Sequence, residues 1–152
     1  MKSTIAGLSV LIAATFINPG CLFAAENWIL KESPHSVEKT ADNLVAVIEK
    51  APPTLFARID HAAGAKKAGL ELEPTTLVIF GNPKIGTPIM RANRKAAMDL
   101  PTKILIWSEG GKTTMGALAP EGLKARYGIE DARKSFEMMG GALGKLMEAA
   151  AK

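Results

Sequence analysis

Asp60-His61 is the pair of residues in this 152-residue chain best suited to chemistry. An imidazole titrates near neutral pH, so it can act as a general base, a metal ligand or an axial ligand to haem iron, and a neighbouring carboxylate can orient it. The ordinary alternative is that Asp60 or His61 caps a helix and the ring packs against a sheet edge. Only one other histidine occurs, His35, and Cys21 is the sole cysteine. A structural zinc site therefore cannot close here without carboxylates. Methionine is more plentiful: a thioether from Met90 or Met115 beside His61 would suit Cu(I) or haem iron. The methionines form no Met-x-Met cluster, and core packing accounts for most of them equally well. Covalently attached haem is excluded, because no Cys-x-x-Cys-His stretch is present.

A second candidate is Gly81-Asn82-Pro83. It lacks both the Gly-x-x-x-x-Gly-Lys and the Gly-x-Gly-x-x-Gly patterns that cradle phosphates, so it reads first as a tight turn whose Asn bonds the local backbone. Asp99, before Leu100-Pro101, is either a carboxylate beside a pocket mouth or the turn residue preceding a strand. No serine elbow, triad or converging carboxylate pair is recognisable, which removes the familiar hydrolase designs.

The elements that must position these residues can be read from spacing. Ser36 is a good N-cap, and Val37, Ala41, Leu44, Val45 and Ile48 share one helical face until Pro52-Pro53 ends the helix. Residues 28–31 suit a first strand. Residues 55–60 alternate Leu55, Ala57 and Ile59 against Phe56 and Arg58, predicting a second strand, and an alanine-rich helix follows over 61–69 with Gly69 at its C-terminus. Residues 75–80 are apolar and β-branched, which predicts a central strand buried on both faces. A short helix over 87–95 carries Ile89 and Met90 inward. Residues 103–107 and 113–118 then form a hairpin about Gly110-Gly111.

Pro120 opens a helix that runs to Tyr127 and is broken at Gly128. A terminal helix over 131–150 places Phe136, Met139, Leu143 and Met147 on one stripe. Gly140, Gly141 and Gly144 weaken it, predicting either close approach of another backbone or a poorly ordered tail. Strands and helices that do not strictly alternate indicate an α+β fold.

The chain opens with Lys2, an apolar run from Ile5 to Ile17 and small residues at Ala24 and Ala25, the layout of a secretory leader too short to span a bilayer. Residues 1–24 are expected to be the leader and 25–152 a single domain, periplasmic or secreted. The membrane is then met only through the leader before cleavage. Cys21 admits a lipidated leader, but the aliphatic residue expected three positions before it is missing. Cleavage removes the only cysteine, so disulfides and thiolate catalysis are excluded from the mature chain. Loss of Lys2 leaves 18 basic residues against 15 acidic ones, a charge of about +3. The basic residues are dispersed and lack interleaved stacking aromatics, so nucleic acid is not expected as a partner.

Several separated motifs recur together in one family. Ser36-Val37 with Thr40 and Leu44, Ile59-Asp60-His61 with Ala65 and Gly69-Leu70, Phe80-Gly81-Asn82-Pro83, Asp99-Leu100-Pro101 and Ala125-Arg126-Tyr127-Gly128 resemble, in order and spacing, the bacterial and archaeal family called domain of unknown function 302. The resemblance covers residues 36–128. It implies a curved antiparallel sheet with helices on one side, similar to half of the TATA-binding-protein fold, and pairing as a homodimer. It implies no agreed reaction. The chain departs from the family at Gly116, Ala117 and Leu118, where relatives carry an aromatic and an Asn or Asp before the proline.

The reading is an exported binding or accessory module. Its small molecule, haem or copper would be held near Asp60, His61, Gly81, Asn82, Pro83 and Asp99, with His61, Met90 and Met115 as metal ligands. The alternatives are an enzyme using His61 as base with Asp60 or Asp99, and a structural dimerisation unit.

Overall fold

The computed structural model describes residues 27–152. The expected leader and Cys21 lie outside the described residues. In chain order the elements are β1 (Trp28–Ser33), α1 (Val37–Glu49), β2 (Thr54–Asp60), α2 (His61–Lys67), β3 (Thr75–Gly81), α3 (Pro83–Ala92), a 3-10 helix (Arg94–Met98), β4 (Thr102–Glu109), β5 (Lys112–Leu118), α4 (Pro120–Tyr127) and α5 (Arg133–Ala150). The strands form one antiparallel sheet in the order β1-β5-β4-β3-β2. The fold is α+β.

Helix α1 begins where the sequence places it, because the Ser36 side chain accepts the Lys39 N–H at 3.2 Å. Its buried face is Val37, Thr40, Ala41, Leu44 and Ile48. Helix α5 contributes Phe136, Met139, Leu143, Leu146, Met147 and Ala150. Together they cover the inner face of the sheet, where Val78, Ile104, Ile106 and Met115 have no exposed surface. Burying a large aliphatic side chain contributes roughly 1.5–3 kcal/mol, so this layer supplies most of the stability. Lys31 Nζ lies 2.6 Å from Glu148 Oε2 and ties β1 to α5. The lysine holds that carboxyl below its ordinary range through the hydrogen bond and then its charge.

Three expectations change. Strand β3 is buried on one face only: Thr76, Val78 and Phe80 point inward, while Thr75, Leu77 and Ile79 are half-buried. The helices that bury residues pack on the other side of the sheet. In β2, Leu55 does not share a face with Ala57 and Ile59. Leu55 pairs with Phe80, Ala57 pairs with Ile79, and a bulge at Phe56 shifts the register between them. Helix α3 starts at Pro83, not at residue 87. Asn82 caps it by accepting the Lys84 N–H at 3.0 Å, and Pro83 takes the first turn, where a missing N–H costs little.

The hairpin turn follows the sequence, with Gly110 and Gly111 at φ of +57° and +79°, the left-handed pair such a turn requires. Of the α5 glycines, only Gly140 approaches another element: a Cβ there would lie 3.4 Å from the Pro120 ring, whereas Gly141 and Gly144 face open space. Trp107 occupies the room above Gly116, where a Cβ would sit 2.9 Å from its ring.

Two substitutions of opposite sign test this packing. Leu44→Ala is expected to lower stability by about 2–5 kcal/mol in denaturant unfolding. Gly141→Ala is expected to raise it by about 0.5–1 kcal/mol, since the added methyl meets nothing and the helix gains propensity.

Candidate functional site

The sheet carries the sequence-predicted residues to different ends of the molecule. Asp60 pairs with Thr76 at one end of the β2–β3 ladder, and Thr54 pairs with Gly81 at the other. Five strand steps of about 3.3 Å along β3, from Thr76 to Gly81, separate Asp60-His61 from Gly81-Asn82-Pro83 by about 17 Å. They cannot form one site. Each end instead has its own cavity.

At the Gly81 end lies a cavity of about 280 Å³. Its walls are Phe80, Gly81, Asn82 and Pro83, then Ile85, Gly86, Thr87 and Met90 of α3, Leu100, Pro101 and Thr102 before β4, and Met139, Ala142 and Leu143 of α5, with Pro53 and Phe56 at the β2 side. The lining is almost wholly apolar; Asn82, Thr87 and Thr102 supply the few polar groups. The Asn82 side-chain oxygen is already engaged as the α3 cap. Gly81 matters here through space: a Cβ would come within 3.2 Å of Pro101 Cβ and 3.5 Å of the Phe56 ring. Phe56, exposed by the bulge, is the lining residue that strand alternation alone misses.

At the Asp60 end a larger, polar cavity of about 780 Å³ opens between β1, the start of α1, β2 and the β4–β5 hairpin. Asp60 lies on its rim and caps α2, accepting the Ala63 N–H at 2.8 Å. His61 is exposed, lines neither cavity, and its ring has no hydrogen-bond partner among the described residues. The pair that looked most reactive in sequence is therefore a helix cap followed by a solvated ring. Met90 lines the apolar cavity, and Met115 is wholly buried in the core. The proposed ligand set of His61, Met90 and Met115 is not brought together, and no group of three or more His, Cys, Asp or Glu side chains among the described residues could hold a metal ion.

Asp99 also lines neither cavity. Its carboxylate accepts from Arg126 at 2.8 Å and from the Tyr127 hydroxyl at 2.9 Å, while its carbonyl accepts from Lys103 Nζ at 2.8 Å. Asn93 Nδ2 donates to the Tyr127 carbonyl at 2.8 Å. The Asp-Leu-Pro and Ala-Arg-Tyr-Gly motifs thus meet as a clamp joining the start of β4 to α4. An enzyme with His61 as base and Asp99 as partner has no geometry to work with, as the two lie at opposite ends of the sheet.

The comparisons follow this architecture. The family model described as Domain of unknown function DUF302 matches residues 29–146. The chain belongs to this family. The DUF302 fold is shared with an uncharacterized conserved protein of Bacillus stearothermophilus, whose crystal structure superposes with a TM-score of 0.74 at 15% identity, over 84% of this chain and all of that one. Among curated proteins the chain is similar to the fluoride-specific ion channel FluC 1 of Brucella suis biovar 1 and of Brucella abortus biovar 1, at 42% identity over 99 residues in each case. That stretch is 64% of this chain but only 39% and 37% of those proteins, so the chain spans less than two fifths of their length.

The clamp predicts a signature at alkaline pH. Burial, and then the hydrogen bond to Asp99, raise the Tyr127 hydroxyl above its ordinary pKa of 10.0. The folded state thus holds this proton more tightly than the unfolded chain. Its stabilising contribution is complete below about pH 10 and is lost as pH rises through the folded-state value. Tyr127→Phe should flatten the loss of stability above pH 10 in urea titrations, and an unchanged alkaline slope would show that the hydroxyl is not held in this way.

Proposed function

We propose that this DUF302 protein is an exported accessory domain that binds a small apolar molecule in the cavity beside Gly81-Asn82-Pro83. The observation that carries the reading is the cavity itself: concave, apolar, with few polar groups and a rim set by a β-bulge, as small-molecule sites generally are. At about 280 Å³ it lies just below the usual range of about 300–1,000 Å³ for ligand pockets, so the occupant is small. Haem and copper have no part in this reading, because the residues nominated for them line no common space.

The accessory role draws support from the Brucella channels. In them a segment similar to this chain occupies a minor part of a protein named for fluoride conduction. No helix among the described residues is long and apolar enough to cross a membrane. We read the shared segment as an appended domain rather than the conducting part.

Binding can be tested with octanol as a probe in calorimetry. Saturable binding is expected for the wild type, and its loss in Ala142→Phe, where the added ring fills the cavity from α5. Equal affinity in both proteins, or no saturation in the wild type, would remove the reading.

A second reading, self-association, rests on the outer face of the sheet. Leu30, Gly116, Leu105, Leu77 and Ile59 pair in sequence across all five strands, forming one apolar row. Trp28, Leu30 and Ile59 on this face are 45%, 59% and 39% exposed. Five strands about 4.8 Å apart and seven residues long present about 550 Å². Two such faces give about 1,100 Å², enough to clear the roughly 1,000 Å² a specific interface needs. A homodimer is expected in analytical ultracentrifugation, and Leu30→Glu should convert it to monomer. A monomeric wild type at high micromolar concentration would dispose of this second reading.

A further inference from the structure

Helix α3 turns one stripe of residues towards the apolar cavity. Pro83, Gly86, Thr87 and Met90 line it, at the spacing that places residues on a single helical face. The next strip around the helix is Lys84, Thr87 and Arg91. Thr87 belongs to both strips, so the two cations stand beside the mouth of the cavity, one to either side of Thr87 along the helix. Both are exposed, and a long basic side chain can lay its stem along apolar surface while its charged head stays in water.

The charge around this mouth is unbalanced. Residues 83–98 carry Lys84, Arg91, Arg94 and Lys95 and no carboxylate. These cations are all exposed, and none forms an ion pair among the described residues, whereas Lys31, Arg58, Lys124 and Arg133 are each matched by an acid. Asp99, the acid that follows the segment, is engaged by Arg126 and Tyr127. On the other side of the cavity, before Pro53, the adjacent Glu49 and Lys50 offset each other. A field of one sign thus stands beside an apolar hollow.

We propose that the cavity takes a single-chain carboxylate, with its alkyl tail inside and its head group at the mouth against Lys84 and Arg91. This deepens the reading of the apolar cavity given above and rests on it. An uncharged ligand would leave the cations without a counter-charge, and an anion without a tail would leave the apolar walls facing water. Only an amphiphile answers both observations. A methylene fills about the volume of a water molecule, roughly 30 Å³, so the cavity of about 280 Å³ seats a chain of about nine carbons. An anionic membrane presents similar chemistry, but a hollow that holds one short tail favours a free ligand.

Octanoate and octanol share a chain and differ in the head group, so calorimetry with both on the intact domain isolates the role of charge. In dilute buffer octanoate is expected to bind about fivefold tighter than octanol, the most that an exposed ion pair usually contributes. The preference should vanish in about 1 M salt, where charges are screened beyond about 3 Å. It should vanish equally in a Lys84→Gln, Arg91→Gln double variant. Lys66→Gln with Lys67→Gln, on α2 at the opposite end of the sheet, should keep it. If octanol fails to saturate the wild type, the apolar-site reading goes and this inference goes with it. If octanol saturates and octanoate binds no tighter, or if the α2 variant loses the preference as fully as the α3 variant does, this inference alone falls. Sedimentation of the protein with phosphatidylglycerol vesicles that octanoate does not reverse would make the patch a membrane contact and would also overturn it.

Discussion

Everything in this molecule depends on one sheet face being buried under two helices. The inner residues of β3, β4 and β5 are sealed by α1 and α5, and the order β1-β5-β4-β3-β2 lets those two helices cover the sheet. The contribution is the ordinary one of apolar area leaving water. What is particular is where it stops. At one end of the inner face the hydroxyls of Ser33, Ser108 and Thr113 replace methyl groups, and at the other α3, α5 and the loop before β4 leave a gap between them. Both cavities are places where the sandwich of sheet and helices ends unfilled.

The family motifs explain the frame more than the chemistry. Ser36 and Asn82 cap helices, Pro83 opens one, and Gly81 leaves room for Pro101. Asp99 joins Arg126 and Tyr127, so two motifs separated in sequence are one contact in space. Gly81, Asn82 and Pro83 line the apolar cavity as well, but as apolar or already engaged groups, which accounts for a family signature that is easy to see and silent about reaction.

Much of the fold was legible in the sequence because its signals are local. The Ser36 cap, the periodicity through Ile48, the glycine pair of the β4–β5 turn and the stripe of α5 each act within a few residues. Helix α3 was harder to place, as Gly86 and Pro88 disguise a helix that Asn82 and Pro83 start. The sites were less legible because they are made by register. Nothing near Ser33 announces that it will stand beside Thr113 and Ser108, and a single extra residue at Phe56 reassigns the faces of β2. Asp60-His61 attracted notice for its residue types, yet adjacency along the chain did not bring its imidazole to a cavity. His35, the less conspicuous histidine, is the one whose ring nitrogen is enclosed.

The bulge at Phe56 has one more effect. Strand β2 is an outer strand, and an outer strand with regular unpaired amides is a template on which a neighbouring chain can extend the sheet. An inserted residue breaks that regularity and adds twist. This border of the domain is thereby a poor seed for chain-to-chain strand pairing, while β1 at the opposite border has no such interruption in its ladder with β5.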